Sequence, residues 1–190
     1  MDYANGTEGI HQEQKNWNKV EFSPELNEKI ERYARENGID PARLKAIIAA
    51  ESSGNQNATH MDKDGKSSWG LMQIRPDTLR TLDPSLRLVS DAVLAERLKD
   101  PSYNLEVGAK YYADLLVKYK GDETLASAAF NGGPGANGDS LHCPGIQRWR
   151  CEYDQLGCYK TSVTGCTPNT GYRVTREYTQ KIDDLENKYR

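Results

Sequence analysis

Apolar residues in this chain recur every three or four positions in segment after segment and almost nowhere alternate, a pattern that restricts it to a mainly helical fold. The clearest segment is Asn104 to Tyr119, where Leu105, Gly108, Tyr112, Leu115, Leu116 and Tyr119 form one stripe before Gly121-Asp122 ends it. Ser23-Pro24 opens an earlier helix, with Leu26, Ile30, Tyr33 and Ala34 on one face and Gly38 as its stop. Asp40 reads as the N-cap of the next, Pro41 as its first residue and Gly54 as its end. Helical spacing resumes after Pro76, and "SDAVLAERLKD" gives a further helix stopped by Pro101. "ETLASAAFN" is a short helix of small residues, which implies close helix packing. Tyr178, Ile182, Leu185 and Tyr189 mark the last one. The stretch "NQNATHMDKDGKSSW" reads as a polar loop. At 190 residues the chain suits one domain. Residues 1–22 are polar and unpatterned and read as a flexible arm, and 23–190 as the domain, with 134–171 an irregular cysteine-rich insertion.

Composition narrows the function. The net charge of −3 and pI near 5.7 give no electrostatic footing on nucleic acid or an anionic membrane. No apolar run approaches the roughly 20 residues of a membrane span, and the first residues contain no apolar signal core, so export requires a removed signal or another route. His11, His60 and His142 fall in no ligand pattern. Asp62-x-Asp64-Gly65 has the middle of a calcium loop, but His60 and Leu71 stand where the first and twelfth ligands belong, so it reads as a glycine turn. No metal or cofactor is expected. Cys143, Cys151, Cys158 and Cys166 cluster without a C-x-x-C knuckle, which points to two disulfides and an oxidising compartment. Of three possible pairings, the simplest is Cys143–Cys151 with Cys158–Cys166.

One residue breaks the apolar pattern. Glu51 lies three residues after Ile48, four after Ile47 and seven after Leu44, so it continues their stripe. Its carboxylate points toward a core or a cleft, and it occupies the last helical turn, where the helix dipole disfavours negative charge. Desolvation and the dipole together favour the neutral acid. Such a carboxyl suits general acid catalysis; a frayed helix end or an arginine partner would explain it equally.

Three further motifs follow in order: "GLMQI" from Gly70, "AAFNGGPG" from Ala128 and "TREYTQKI" from Thr175. With Glu51-Ser52, and with Asp100-Pro101, Asn104 and Gly108 between them, this order resembles the soluble lytic transglycosylase family of the lysozyme-like superfamily, over residues 24–135 and 172–185. The resemblance implies a lysozyme-like helical domain that cleaves the β-1,4 bond between N-acetylmuramic acid and N-acetylglucosamine in peptidoglycan. Glu51 would protonate the glycosidic oxygen; the substrate's N-acetyl group and then its 6-hydroxyl would close a 1,6-anhydro ring, with Glu51 as base. It further implies substrate contacts from Ser52, Met72, Gln73, Phe130, Asn131 and Tyr178. Asn131 would orient an acetamide, while Tyr178 would sit near the acid or pack in the core.

Two positions depart from the family pattern: Phe130 stands where its tyrosine belongs, and Arg75 where methionine precedes the proline. Asp64 resembles an aspartate of goose-type lysozymes, so a hydrolytic muramidase using Glu51 and Asp64 is an alternative. A non-catalytic glycan-binding or assembly module is another, disfavoured by an intact Glu51. The cysteine-rich insertion is expected to border the glycan groove and to meet stem peptides through Arg148, Arg150 or Lys160. The expected partner is peptidoglycan, the expected location the periplasm or cell exterior, and the expected state a monomer.

Overall fold

The structure is a computed structural model that describes residues 16–62, 65–140, 144–151 and 170–190. Among these residues seven α-helices carry the fold: α1 Pro24–Glu36, α2 Pro41–Ser52, α3 Pro76–Leu82, α4 Asp91–Leu98, α5 Pro101–Lys118, α6 Glu123–Gly132 and α7 Thr170–Tyr189. Local chemistry sets their starts. The side chains of Ser23, Asp40, Asp100 and Asp122 accept from Leu26, Ala42, Tyr103 and Leu125 backbone N–H groups at 3.3, 2.8, 2.7 and 2.8 Å. Each such cap contributes about 1 kcal/mol. Pro101 has two roles, ending α4 and opening α5 three residues before the anticipated start at Asn104.

α7 packs on α2 and α6, α1 on α2 and α5, and α5 on α4 and α6. The core they share includes Ile30, Leu44, Ile47, Ile48, Leu105, Tyr112 and Ile182. The small residues anticipated in α6 are buried (Ala126, Ser127, Ala128, Ala129) and let α7 come close.

Three features depart from the sequence reading. The stretch read as a polar loop contains an antiparallel hairpin, β1 Thr59–Met61 and β2 Ser67–Trp69, with Thr59 opposite Trp69 and Met61 opposite Ser67. The residues of β1 are all exposed, so no alternation marks the strand. From Asn16 onward the anticipated arm is a strap pinned to the end of α7. The Val20 backbone N–H donates to the Tyr189 hydroxyl at 3.0 Å, that hydroxyl donates to the Val20 carbonyl at 2.9 Å, and Phe22 stacks on the Tyr189 ring at 5.7 Å. Phe22 also fills the space beside Gly54, where a β-carbon would approach its ring to 3.2 Å. The third is Arg43, only 4% exposed in α2. Its guanidinium meets Glu123 at 2.7 Å, Glu186 at 2.9 Å and Asp183 at 3.0 Å, tying α2 to α6 and α7.

Candidate active site

Glu51 sits in the last turn of α2, where Ser53 turns into the left-handed conformation (φ 53°) and ends the helix. The residue keeps partial contact with solvent, yet protein surrounds its carboxyl. Burial is the largest influence on its proton and pushes its pKa from 4.5 up to about 7. The Tyr178 hydroxyl and the Lys181 ammonium, both from α7, pull against this, and Asp62 beyond β1 adds a smaller push upward. The Tyr178 ring is 7% exposed, and its hydroxyl has no hydrogen bond of full geometry among the described residues, which leaves Glu51 as the group it addresses. Lys181 donates from Nζ to the Ala50 carbonyl at 3.0 Å.

The α7 helix therefore brings successive side chains, three residues apart, to the site. Thr175 donates to Oδ1 of Asn131 at 3.0 Å, Tyr178 faces Glu51, and Lys181 caps the end of α2. Asn131 itself is exposed at the end of α6.

"GLMQI" forms the turn after the hairpin. Gly70 adopts φ +77°, and a β-carbon there would lie 2.3 Å from Nδ2 of Asn104, so only glycine permits this seat. Asn104, fully buried, accepts from the Met72 N–H at 2.8 Å and donates to the carbonyls of Trp69 at 2.7 Å and Leu98 at 2.9 Å.

Several residues expected to contact substrate are also engaged by the protein itself. Met72 has no exposed surface and packs against Gly108. Gln73, at φ 49°, spends its amide internally: Nε2 donates to Gly70 and Ala58 carbonyls at 2.8 and 3.0 Å, and Oε1 accepts from Ser68 at 2.9 Å. Ser52 donates to the Ile48 carbonyl and accepts from the Gly54 N–H, both at 3.2 Å, which closes the helix end. Phe130 is half-buried between Tyr111 and Tyr112, with ring centroids 5.4 and 5.9 Å away. An apolar ring fits that aromatic cluster without a polar group to satisfy.

Asp64 lies outside the described residues. Asp62, two positions earlier, is the acidic group that the described hairpin turns toward Glu51. Arg75 holds it at 3.0 Å, and His60 approaches at 3.6 Å. Asp62, read as part of a glycine turn, and Lys181, inside "TREYTQKI", were assigned no role beside the acid in the sequence reading; Arg75 at the departure from the family pattern was the available signal. Cys143, Cys158, Cys166 and Lys160 also lie outside the described residues. Cys151 is 1% exposed, and no described cysteine is free. Arg148 donates to the Asp139 carbonyl at 3.1 Å and Arg150 stacks over Trp149 at 4.8 Å. Among the described residues no cluster of His, Cys, Asp and Glu could hold a metal ion.

Residues 28–146, more than half of the chain, match the family model of the transglycosylase SLT domain. This chain belongs to that family. The SLT domain here is 30% identical over 121 residues to a soluble lytic murein transglycosylase of Salmonella typhimurium, covering 63% of this chain and 18% of that protein. It is 30% identical over 105 residues to the membrane-bound lytic murein transglycosylase E of Buchnera aphidicola (55% and 42% covered). With a transglycosylase of Enterobacteria phage PRD1 it shares 33% over 95 residues (50% and 30%). The chain thus spans less than half the length of each of these relatives. Its fold is similar to the 70 kDa soluble lytic transglycosylase of Escherichia coli, with a TM-score of 0.58 at 22% identity, covering 86% of this chain and 24% of that one. An inactive mutant of the lytic transglycosylase Slt from Pseudomonas aeruginosa gives 0.57 at 24% identity, with 85% and 23% covered. The lysozyme-like helical architecture expected from the sequence is the one these neighbours share. The family match ends before α7, so Tyr178 and Lys181 enter the site from outside it.

Proposed function

We propose that this SLT domain cleaves peptidoglycan strands as a lytic transglycosylase, with Glu51 as its acid and base. The observation that carries the reading is the placement of the Glu51 carboxyl, enclosed by protein in the last turn of α2 and faced by Tyr178; burial there pushes its pKa up to about 7, so it can both give and take a proton near neutrality. In the first step its proton passes to the oxygen linking N-acetylmuramic acid to the next N-acetylglucosamine, and the C1–O bond breaks. The substrate's acetamide oxygen covers C1. In the second step the muramic acid 6-hydroxyl attacks C1, its proton returns to Glu51, and the acetamide is released with a 1,6-anhydro ring formed. No water is consumed and no net proton is exchanged.

Asn131, exposed at the end of α6 and oriented by Thr175, is the residue we assign to the acetamide. The hydrolytic alternative needs a base for water. Asp62 is held by the Arg75 guanidinium at 3.0 Å, which ties it away from the task of positioning a water, and this favours ring closure. We assign the second carboxylate role of the alternative to Asp62 or Asp64. The work of such an enzyme lies in the cell envelope, where disulfides in the 134–171 insertion would persist; no helix among the described residues is long and apolar enough to cross a membrane.

The test is digestion of purified peptidoglycan by the wild-type domain and Glu51→Gln, with products read by mass spectrometry. The wild type is expected to release muropeptides lighter than a lysozyme digest by one water and resistant to borohydride. Glu51→Gln is expected to lose at least about 10²-fold in rate while staying folded. Reducible muramic acid ends would move the domain to the muramidases. Retention of more than half the activity by Glu51→Gln would remove Glu51 from the chemistry.

A further inference from the structure

The last turn of a helix leaves carbonyls without a helical partner. In α2 the Ala49 carbonyl is taken by the Ser53 N–H, and the next one, Ala50, receives Nζ of Lys181 at 3.0 Å across 131 residues of sequence. Lys181 is half-buried, with its ammonium beside the negative end of the α2 dipole and beside the residue that follows Ala50, which is Glu51. Tyr178, three residues earlier on α7, faces the same carboxyl.

Among the described residues, the charged and titratable groups that act on Glu51 are Tyr178 and Lys181 from α7 and Asp62 after β1, with Arg75 and His60 on Asp62 itself. Lys181 is the cation in that set that addresses the carboxyl directly. The influence is mutual: burial lowers the proton affinity of Lys181, and the Glu51 charge raises it again.

We propose that Lys181 is a positioning residue for the Glu51 reaction, fixing the end of α2 through Ala50 and steadying the Glu51 carboxylate between its two proton transfers. The inference rests on the catalytic reading above. When Glu51 has given its proton to the glycosidic oxygen, it is a carboxylate in a largely dry setting at the wrong end of a helix. A fixed cation lowers the energy of that state and so eases donation. It does not abolish the later return of the proton from the 6-hydroxyl, because burial still dominates.

The test separates charge from the hydrogen bond. Lys181→Gln keeps a donor for Ala50 but no charge, and Lys181→Arg keeps both. Two readouts are needed: the pH profile of kcat/KM on purified peptidoglycan, and a ¹³C titration of the Glu51 carboxyl by NMR. In Lys181→Gln the carboxyl midpoint, and with it the limb where activity falls with rising pH, should move upward by about half to one unit. The maximal rate should fall about three- to tenfold, the same shift expressed as a poorer acid. Lys181→Arg should restore both. A Lys181→Gln protein that loses rate with an unmoved limb and midpoint would overturn the proposal and leave Lys181 a structural tie. Should Lys181→Gln not fold, the comparison is made between wild type and Lys181→Arg after carbamylation-free preparation, where a displaced midpoint in Lys181→Arg would overturn it. The NMR midpoint does not depend on turnover. Full activity in Glu51→Gln would instead sink the catalytic reading, so the two failures are distinguishable.

Discussion

Helix α2 holds a charge near each end, and its surroundings treat the two in opposite ways. Arg43, in the first turn, is 4% exposed and meets three carboxylates at 2.7 to 3.0 Å. Burial alone would weaken its hold on its proton, but Tyr112, Glu123 and Glu186 raise it above the ordinary arginine range. Glu51, two turns later, is enclosed as well, yet among the described residues no cation forms a salt bridge with it; Lys181 donates instead to a backbone carbonyl. A saturated charge is chemically inert and serves as a rivet. An enclosed charge left short of partners has its proton poised near neutrality. Both come from one helix packed on one partner, α7, so the difference lies in pairing and not in depth alone.

The comparison can be broken at either end. The largest effect is expected from Arg43→Met. Removing one member of a buried ion network typically costs about 3–5 kcal/mol, because the remaining charges are left unpaired. Glu186 (5% exposed at its side chain) would lose its buried partner and face Glu123 with Arg190 at 2.6 Å as its remaining cation among the described residues. Urea unfolding at neutral pH is the measurement, and a loss within the noise of a surface substitution would show that Arg43 is no rivet.

The next effect has the opposite sign. Glu51 binds its proton more tightly in the folded chain, with a pKa of about 7 against an ordinary 4.5. Between those values the folded state holds more protons than the unfolded one, so stability falls as pH rises through that window. Glu51→Gln removes the penalty. After discounting for its remaining solvent contact, the variant should be more stable than wild type by about 1–2 kcal/mol at pH 8 and indistinguishable at pH 4. Thermal melts at the two pH values decide it; equal gains at both would mean that proton linkage is not the cause.

The smallest effect sharpens the Glu51 end. Asp62 adds a modest upward push to the Glu51 carboxyl, so Asp62→Asn should move its titration midpoint downward by a few tenths of a unit. That direction is opposite to the one expected for loss of the Lys181 charge. A large loss of activity in Asp62→Asn, with reducible ends among the products, would instead give Asp62 the role of a base.

The helices and the acid were legible in the sequence because both announce themselves locally. Spacing from Leu44, Ile47 and Ile48 placed Glu51 on the inner face, and a Ser-Pro and an Asp-Pro pair marked two of the helix starts. Arg43 was not legible: its partners lie 80 to 143 residues away in sequence, and an arginine beside Leu44 looks like any residue of a solvated face. The hairpin escaped because its first strand buries nothing. The strap escaped because Trp17, Val20 and Phe22 are too sparse to form a period, although all three pack on the core. At the site itself, the internal engagements of the motif residues were not legible. Met72 and Gln73 lie in the motif because they shape the turn, and motif membership does not distinguish holding a loop from touching a sugar.

The docking of α7 also has a meaning in time. A chain is made from its N-terminus, so Glu51 leaves the ribosome well before Tyr178 and Lys181, which are encoded 127 and 130 residues later. At roughly 5–20 residues per second, the acid waits on the order of ten seconds for the helix that completes its surroundings. During that interval α2 lacks the cover of α7, and the surroundings that raise the proton affinity of Glu51 are incomplete. The acid proposed for the reaction is thus poised only once α7 has been made and docked.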